Sequence, residues 1–403
     1  MKKIVIKDFK CDAGFIKKLD VFFCNEGNLV ILPTLFSLFL RLKQVVFIKK
    51  KPIDSSGGVG SELVKSYIRE VTVDSYLNYL LKYLQFIEDS VNKHTDSVSV
   101  HLNEAVTQKF INYYVNNVLV RSLGKGTSSV TSTISAINAY YNWLAYCNLS
   151  TMREIFLQPS NKEITARNTR RKQSIKYIST DGRFELLKNC LLIRDELLMC
   201  MGFLVGLRSK ENCGLLLNDF TYNKVRQLGL ISLFNQLKSN KSQQVFVYFL
   251  AGIYTKGGGS RKIYFNRRLL ERMLEYYLTE RAEIMNNEGL NHDKFFVKID
   301  NQTRGQPIKN DTATNRFSVL KKGILSIGHD NSYQDLRHSF ATDLFHSELN
   351  GEPVTNIGCN HPAIIEVAIR LGHKIDNPNT LALVTYRYIR LHKEMMSVEG
   401  SYV

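Results

Sequence analysis

Between positions 61 and 150 the apolar residues recur at intervals of three and four, the spacing that gathers them on one helix face. In the helix predicted over 74–89 this face consists of Tyr76, Leu80, Tyr83, Leu84 and Ile87. The stretches "NEAVTQKFINYYVNNVLV" and "GTSSVTSTISAINAYYNWLAYCNL" follow the same rule. We therefore predict a helical domain over residues 61–159. Residues 1–60 are predicted to form an N-terminal extension, which either contacts separate sites on a partner or packs on this domain.

A second domain is predicted over residues 180–403, after a basic linker at 160–179. In the linker, "NKEITARNTRRKQSIKY" has many cations and few acids, which suits a solvated connection or a strap across a polyanion backbone. The second domain opens with helices and passes through strand-like segments, "LGLISLFN", "QVFVYFLAGIYT" and "SRKIYFN", before helices return. The fold class is mainly α with a small antiparallel sheet, the second domain being α+β.

The charge of the chain points to a polyanionic partner. Its 403 residues carry 54 Lys and Arg against 37 Asp and Glu, a net charge of +17. The cations are spread along the chain, which favours a long basic groove over a membrane-anchoring helix. Seven cysteines without a CxxC pair indicate reduced thiols in the cytoplasm. The longest apolar run, about 29–40, is too short to span a membrane.

One arginine stands in an otherwise apolar run, "LVGLRSKENCGLLLNDF". A buried guanidinium is costly unless it is paired, so Arg208 needs an acidic partner or an anionic ligand. Glu211, three residues on, can supply the first and leave the guanidinium fork facing the second.

Further segments of the second domain carry cationic or proton-transferring side chains. These residues are Arg208, Lys256 in "YTKGGGSRKIYF", Arg337 in "YQDLRHSFATDLF", His373 in "AIRLGHKI", and Tyr386 and Tyr388 in "LVTYRYIRL". Each alone has a structural explanation: "TKGGGS" fits a hairpin turn and "RLGH" a helix that ends at a glycine. Together they suit phosphoryl transfer without a metal or other cofactor. Arginine forks neutralise a phosphodiester, a lysine protonates the leaving oxygen and a tyrosine attacks.

The ordered set resembles the catalytic domain of the tyrosine recombinases, or phage integrases. "VGLRSKENCGLLLNDF" is similar to the first-arginine box, "YTKGGGSRKIYF" to the lysine hairpin, and "LRHSFAT" to the second-arginine box. "LGH" and "TYRYIRL" are similar to the histidine box and the nucleophile segment. The helical domain resembles the family's core-binding domain, so the resemblance covers most of the chain.

The resemblance implies a site-specific recombinase that cleaves and rejoins DNA through a 3′-phosphotyrosyl intermediate. Two domains would clamp double-stranded DNA, within a homotetramer on paired sites and with possible accessory proteins. Arg208 and Arg337 would hold the phosphate. Lys256 would be the general acid, His373 would assist and Tyr388 would attack. Such a protein of a mobile element would be cytoplasmic, and nucleoid-associated in a prokaryote.

The chain departs from the family pattern at three places. Gln334 stands three residues before Arg337, where the family has histidine or lysine; glutamine can donate a hydrogen bond to phosphate but cannot shuttle a proton. The interval from Arg337 to His373, 373 − 337 = 36 residues, is long. The stretch between His373 and the tyrosines is also long. We favour Tyr388 over Tyr386 as the nucleophile because Thr385 lies three places before it.

Other functions stay open at this stage. Gln334 favours a catalytically silent DNA-binding relative, while the same set of cations also serves relaxing topoisomerases and hairpin telomere resolvases. Net charge alone supports an RNA-binding or membrane-surface protein. Whether the protein integrates, excises or resolves is likewise not encoded in any motif.

Overall fold

The structure is a computed structural model that describes most of the chain. The described residues are 1–11, 14–49, 62–91, 93, 98–171, 176–255, 257–354, 357–358, 360–373 and 390–397. Lys256, Tyr386 and Tyr388 lie outside these ranges. The chain divides into two compact units, Met1–Gln173 and Ser174–Val403.

The first unit contains helices and two antiparallel pairs of strands. Its elements are β1 (Lys2–Cys11), β2 (Gly14–Phe23), α1 (Ile31–Lys43), β3 (Val45–Lys49), β4 (Leu63–Tyr67), α2 (Glu70–Ser90), a 3₁₀ helix (Val100–Ala105), α3 (Gln108–Tyr113), a π-helix (Tyr114–Ser122), α4 (Thr127–Tyr146) and α5 (Pro159–Arg171). Strand β1 pairs with β2, and β3 pairs with β4. The predicted apolar faces of α2 and α4 are buried in one core.

The described part of the N-terminal extension packs on this helical core. The Phe36 ring of α1 lies 5.2 Å from the Tyr140 ring and 5.3 Å from the Trp143 ring. On α4, Asn142 Nδ2 donates a hydrogen bond of 2.8 Å to the carbonyl of Phe47 in β3. The described part of residues 1–60 therefore packs on the helical core. The segment "NLVILP" leads into α1, which begins at Ile31.

The first part of the predicted basic linker is helical. Helix α5 packs on the first unit through polar side chains: Asn161 is fully buried, and its Nδ2 donates to Asn116 Oδ1 at 3.0 Å. Thr165, one turn on, is also buried. Because this buried face is built from hydrogen-bonded polar groups, the apolar spacing used for the other helices could not reveal it.

The second unit is helical with two further antiparallel hairpins. Its elements are α6 (Thr180–Lys188), α7 (Ile193–Phe203), a 3₁₀ helix (Ser209–Gly214), β5 (Phe220–Tyr222), β6 (Val225–Gln227), α8 (Leu230–Ser239), β7 (Val245–Leu250), a 3₁₀ turn (Gly252–Tyr254), β8 (Arg261–Asn266), α9 (Arg267–Leu278), α10 (Glu280–Asn287), α11 (Thr312–Leu320), α12 (Tyr333–Leu349) and α13 (Pro362–Leu371). Residues 390–397 are helical. Strand β5 pairs with β6, and β7 with β8. Helix α12 packs against α7, α11 and α13, which places Arg337 centrally.

The predicted fold class is confirmed, with one segment assigned wrongly. "LGLISLFN" was predicted as a strand but forms most of α8, in which Leu230, Leu233, Phe234 and Leu237 are buried at helical spacing. The antiparallel pairing of "QVFVYFL" with "RKIYFN" occurs as predicted. Among the described residues, no helix is both long and apolar enough to cross a membrane.

Candidate active site

Arg208 lies just beyond the end of α7, at the N-cap of the 3₁₀ helix Ser209–Gly214 and not inside a long helix. The chain reaches this position through Gly206, whose φ is +73°. A Cβ atom there would lie 2.4 Å from Phe340 Cδ1, so the turn requires glycine. The Arg208 side chain keeps 25% of its surface exposed, which leaves part of its fork open to a ligand.

Glu211 is the centre of a cluster of three arginines. Its Oε1 accepts from Arg208 Nη1 at 2.9 Å and from Arg261 Nη1 at 3.0 Å. Its Oε2 accepts from Arg261 Nη2 at 2.7 Å, from the Arg208 backbone N–H at 2.8 Å and from Arg337 Nη1 at 3.4 Å. The carboxylate is 0% exposed. Burial alone would raise the pKa of Glu211, but Arg261, Arg337 and the Arg208 N–H together lower it to about 2.

Arg337 ties together the segments that carry Arg208 and His373. From α12 its Nη1 donates to the carbonyl of Gly206, two residues before Arg208. Its Nη2 donates to the carbonyl of Leu371 at 2.6 Å, two residues before His373. The side chain is 2% exposed. Three positions far apart in sequence therefore meet around one guanidinium.

His373 follows the glycine that ends α13, as the sequence indicated. Gly372 has φ +67° and caps the helix, and the His373 N–H donates to the carbonyl of Ala368 at 2.8 Å. The His373 side chain is half-buried. The cap thus fixes the backbone of His373 beside the Leu371 carbonyl that Arg337 holds.

Gln334 lies one turn before Arg337 on α12 and is half-exposed. Ser332 caps this helix, and Asp335 Oδ2 accepts from the Ser332 N–H at 2.8 Å. The cap fixes the first turn, so Gln334 and Arg337 share one side of α12.

The turn between β7 and β8 has the predicted hairpin geometry, although Lys256 itself lies outside the described residues. Gly257 and Gly258 have φ values of +103° and +82°. Thr255 Oγ1 donates to the carbonyl of Gly259 at 2.8 Å. The two glycines supply the left-handed conformations that such a turn needs.

Arg261 is a site residue that the sequence analysis missed. In β8, buried Arg261, Ile263 and Phe265 alternate with residues that face outward. Such alternation marks an inward side chain, and an inward arginine needs an anionic partner. This signal was present in "SRKIYF".

The cluster carries more positive than negative charge. Three guanidinium groups against one carboxylate leave 3 − 1 = +2, counting the ion pairs of Glu211 among the described residues. A partly exposed Arg208 above such an excess is suited to bind an anion with two or more oxygens. Within the described parts of the chain, no three His, Cys, Asp or Glu side chains come together as a metal site would need.

Comparison with known proteins yields a family match and a shared fold. Residues 176–364 match the model of the phage integrase family. No curated protein matches the chain. The XerH site-specific recombinase bound to palindromic difH substrate, in a post-cleavage complex, is 15% identical with a TM-score of 0.51, covering 78% of this chain and 76% of that one. A lambda integrase dimer bound to a COC′ core site is 13% identical with a TM-score of 0.45, covering 79% and 89%.

Proposed function

We propose that the chain is a tyrosine recombinase of the phage integrase family, because residues 176–364 match that family model, and that it cleaves and rejoins duplex DNA at specific sites. The reaction would pass through a 3′-phosphotyrosyl intermediate and serve integration, excision or resolution of a mobile element. The observation that carries this proposal is the +2 excess of Arg208, Arg261 and Arg337 over Glu211.

Arg208 would meet the scissile phosphate. Its fork is partly exposed, while Glu211 Oε1 holds Nη1 from behind at 2.9 Å. A guanidinium held in this way needs little reorganisation when charge grows on the non-bridging oxygens in the transition state. Charge neutralisation by a pre-positioned arginine is the contribution we assign to this residue.

Arg337, His373 and Gln334 would complete the phosphate site. The sequence led us to expect that both arginine forks bind phosphate, and the structure buries that of Arg337 under two backbone carbonyls. Arg337 would therefore add positive charge from its buried position. It would also hold the segments of Arg208 and His373 in place relative to each other. His373 would hydrogen-bond the phosphate or assist proton transfer. Gln334 would donate a hydrogen bond but transfer no proton.

Lys256 and Tyr388 would carry the bond-making and bond-breaking steps. The Tyr388 hydroxyl would attack the phosphorus, and Lys256, on the turn after β7, would protonate the 5′-oxygen that leaves. Both assignments rest on the sequence resemblance.

The proposed partner is double-stranded DNA; the XerH recombinase named above is bound to its difH substrate. The +17 net charge favours contact with many phosphates. A homotetramer on paired sites and accessory proteins would complete the reaction. A DNA partner would place the chain in the cytoplasm, and at the nucleoid in a prokaryote.

The proposal is tested by trapping the covalent intermediate. Nicked duplexes tiled over the DNA that flanks the coding sequence lose a short strand on cleavage, which prevents religation and accumulates the adduct. We expect an adduct in the presence of EDTA, because arginines and a lysine supply the charge that a metal enzyme takes from its ion. Digestion and mass spectrometry should place the DNA on Tyr388.

Variants at the two tyrosines serve as matched controls. Tyr386→Phe should form the adduct, and Tyr388→Phe should not; the reverse result would exchange the two roles. Tight DNA binding without adduct on any duplex would favour the catalytically silent alternative, to which Gln334 points. Relaxation of supercoiled DNA without exchange between two sites would favour a topoisomerase.

A further inference from the structure

Arg261 has the closest contact with Glu211 and almost no contact with solvent. Its two terminal nitrogens bind the two carboxylate oxygens in parallel, at 3.0 and 2.7 Å, across 50 positions of sequence. Its side chain is 5% exposed, whereas Arg208, on the same carboxylate, is 25% exposed. Arg261 is therefore placed to act on Glu211, and Arg208 is placed to act on a ligand.

Arg261 also packs on the glycine that precedes His373. A Cβ atom on Gly372 would lie 2.9 Å from Arg261 Cδ and 3.4 Å from its Nη1. Only a residue without a side chain leaves this space for the arginine. The guanidinium thus joins β8, the 3₁₀ helix of Glu211 and the end of α13, in addition to the links that Arg337 makes.

We propose that Arg261 is a positioning residue for DNA cleavage, an inference that rests on the proposed function. It shares the charge of Glu211, so that this carboxylate orients Arg208 without cancelling the positive charge that Arg208 offers to the phosphate. A lone Glu211–Arg208 pair would be neutral, and a neutral pair attracts phosphate weakly. With Arg261 and Arg337 included, the excess is +2.

The net charge gives a test that separates this role from packing. Removing the Arg261 charge reduces the excess to 2 − 1 = +1, and removing Glu211 as well returns it to 2 − 0 = +2. Arg261→Gln should slow maximal cleavage of the nicked duplex by about 100-fold, with DNA affinity nearly unchanged. The double variant Glu211→Gln/Arg261→Gln should recover at least about tenfold of this loss. A double variant as slow as Arg261→Gln, or slower, overturns the proposal.

Controls distinguish misfolding from mispositioning. Arg261→Lys keeps the charge and loses the paired geometry, so its cleavage rate should lie between those of wild type and Arg261→Gln. If the glutamine variant does not fold, Arg261→Lys replaces it in the test. Arg226→Gln removes an exposed arginine that pairs with Asp219 at 2.8 Å, and it should cleave like wild type. An equal loss in Arg226→Gln would assign the Arg261 effect to general charge.

A second readout needs no cleavage. Orthovanadate binding, measured by calorimetric titration, should weaken about tenfold in Arg261→Gln and return in the double variant. Absence of the adduct in wild type, with this order of vanadate affinities intact, would count against the recombinase function and leave Arg261 as a positioning residue for anion binding by Arg208. If the vanadate affinities of the variants do not follow this order, the proposed role of Arg261 is wrong, whether or not the wild-type protein cleaves DNA.

Discussion

Each unit contains a cluster of ion pairs around a buried carboxylate, Asp20 in the first and Glu211 in the second, and the two clusters differ in net charge. In the first unit, Arg41 contacts Asp20, Asp74 and Glu70, and two lysines, Lys3 and Lys18, pair with the aspartates. Three cations against three acids give 3 − 3 = 0. In the second unit the cluster around Glu211 has an excess of +2.

The difference shows how a structural cluster is distinguished from a ligand site. In the balanced cluster Arg41 is 3% exposed, and its aspartate partners in β2 and α2 balance the cations that contact them. In the other cluster the excess lies beneath a partly exposed arginine. Counted over the ion pairs of Glu211, three guanidinium groups share one carboxylate, and this arrangement favours an anion that binds beside Arg208.

The largest effect should come from Arg208→Ala. We expect cleavage of the nicked duplex to fall by about 100- to 1,000-fold, because the residue neutralises charge that grows in the transition state. DNA affinity should change little, since many other cations contact the backbone. Single-turnover cleavage and filter binding measure the two quantities. A variant that cleaves near the wild-type rate would remove Arg208 from the site.

Arg41→Met should lower the stability of the protein, where Arg208→Ala lowers the rate of cleavage. Asp20 is fully buried and keeps only Lys3 as a cationic partner in this variant, so the free energy of unfolding of the first unit should fall by about 3 kcal/mol. Urea denaturation followed by circular dichroism measures this change. Unchanged stability, together with lost cleavage, would show that the balanced cluster also serves the reaction.

The low pKa of Glu211 predicts an acid-sensitive second unit. Its folded pKa of about 2 lies below the ordinary 4.5, so its ionisation stabilises the fold fully above about pH 4.5. This stabilisation, about 3 kcal/mol, is lost as pH falls toward 2. Urea denaturation of wild type and Glu211→Gln at pH 7 and pH 3 should show a smaller pH dependence in the variant. Equal dependence would mean that the arginines do not hold the carboxylate ionised.

The sequence predicts those parts of the fold whose buried faces are apolar. The helices α2 and α4 follow from their spacing, whereas α5 was hidden because Asn161 and Thr165 provide its buried contacts. Segment α8 was misassigned because a short apolar run fits a strand as well as a helix.

The candidate site divides in the same way. Arg208, Arg337 and His373 stand in recognisable motifs, and the structure brings their segments together. The sharing of Glu211 could not be predicted, since Arg261 and Arg337 reach it across 50 and 126 positions. Spacing along a helix predicts the pairing of Glu211 with Arg208, three residues away, but it predicts no partner that is distant in sequence.

The claim that the arginine excess neutralises a phosphate is tested most directly by changing the phosphate. A nicked duplex with a methylphosphonate at the scissile position lacks the negative charge that Arg208 is proposed to meet. Relative to wild type on the same substrate, the deficit of Arg208→Ala should shrink from about 100-fold or more on phosphate to less than about tenfold on methylphosphonate. An equal deficit on both substrates would contradict the account, because Arg208 would then act on something other than the charge of the phosphate.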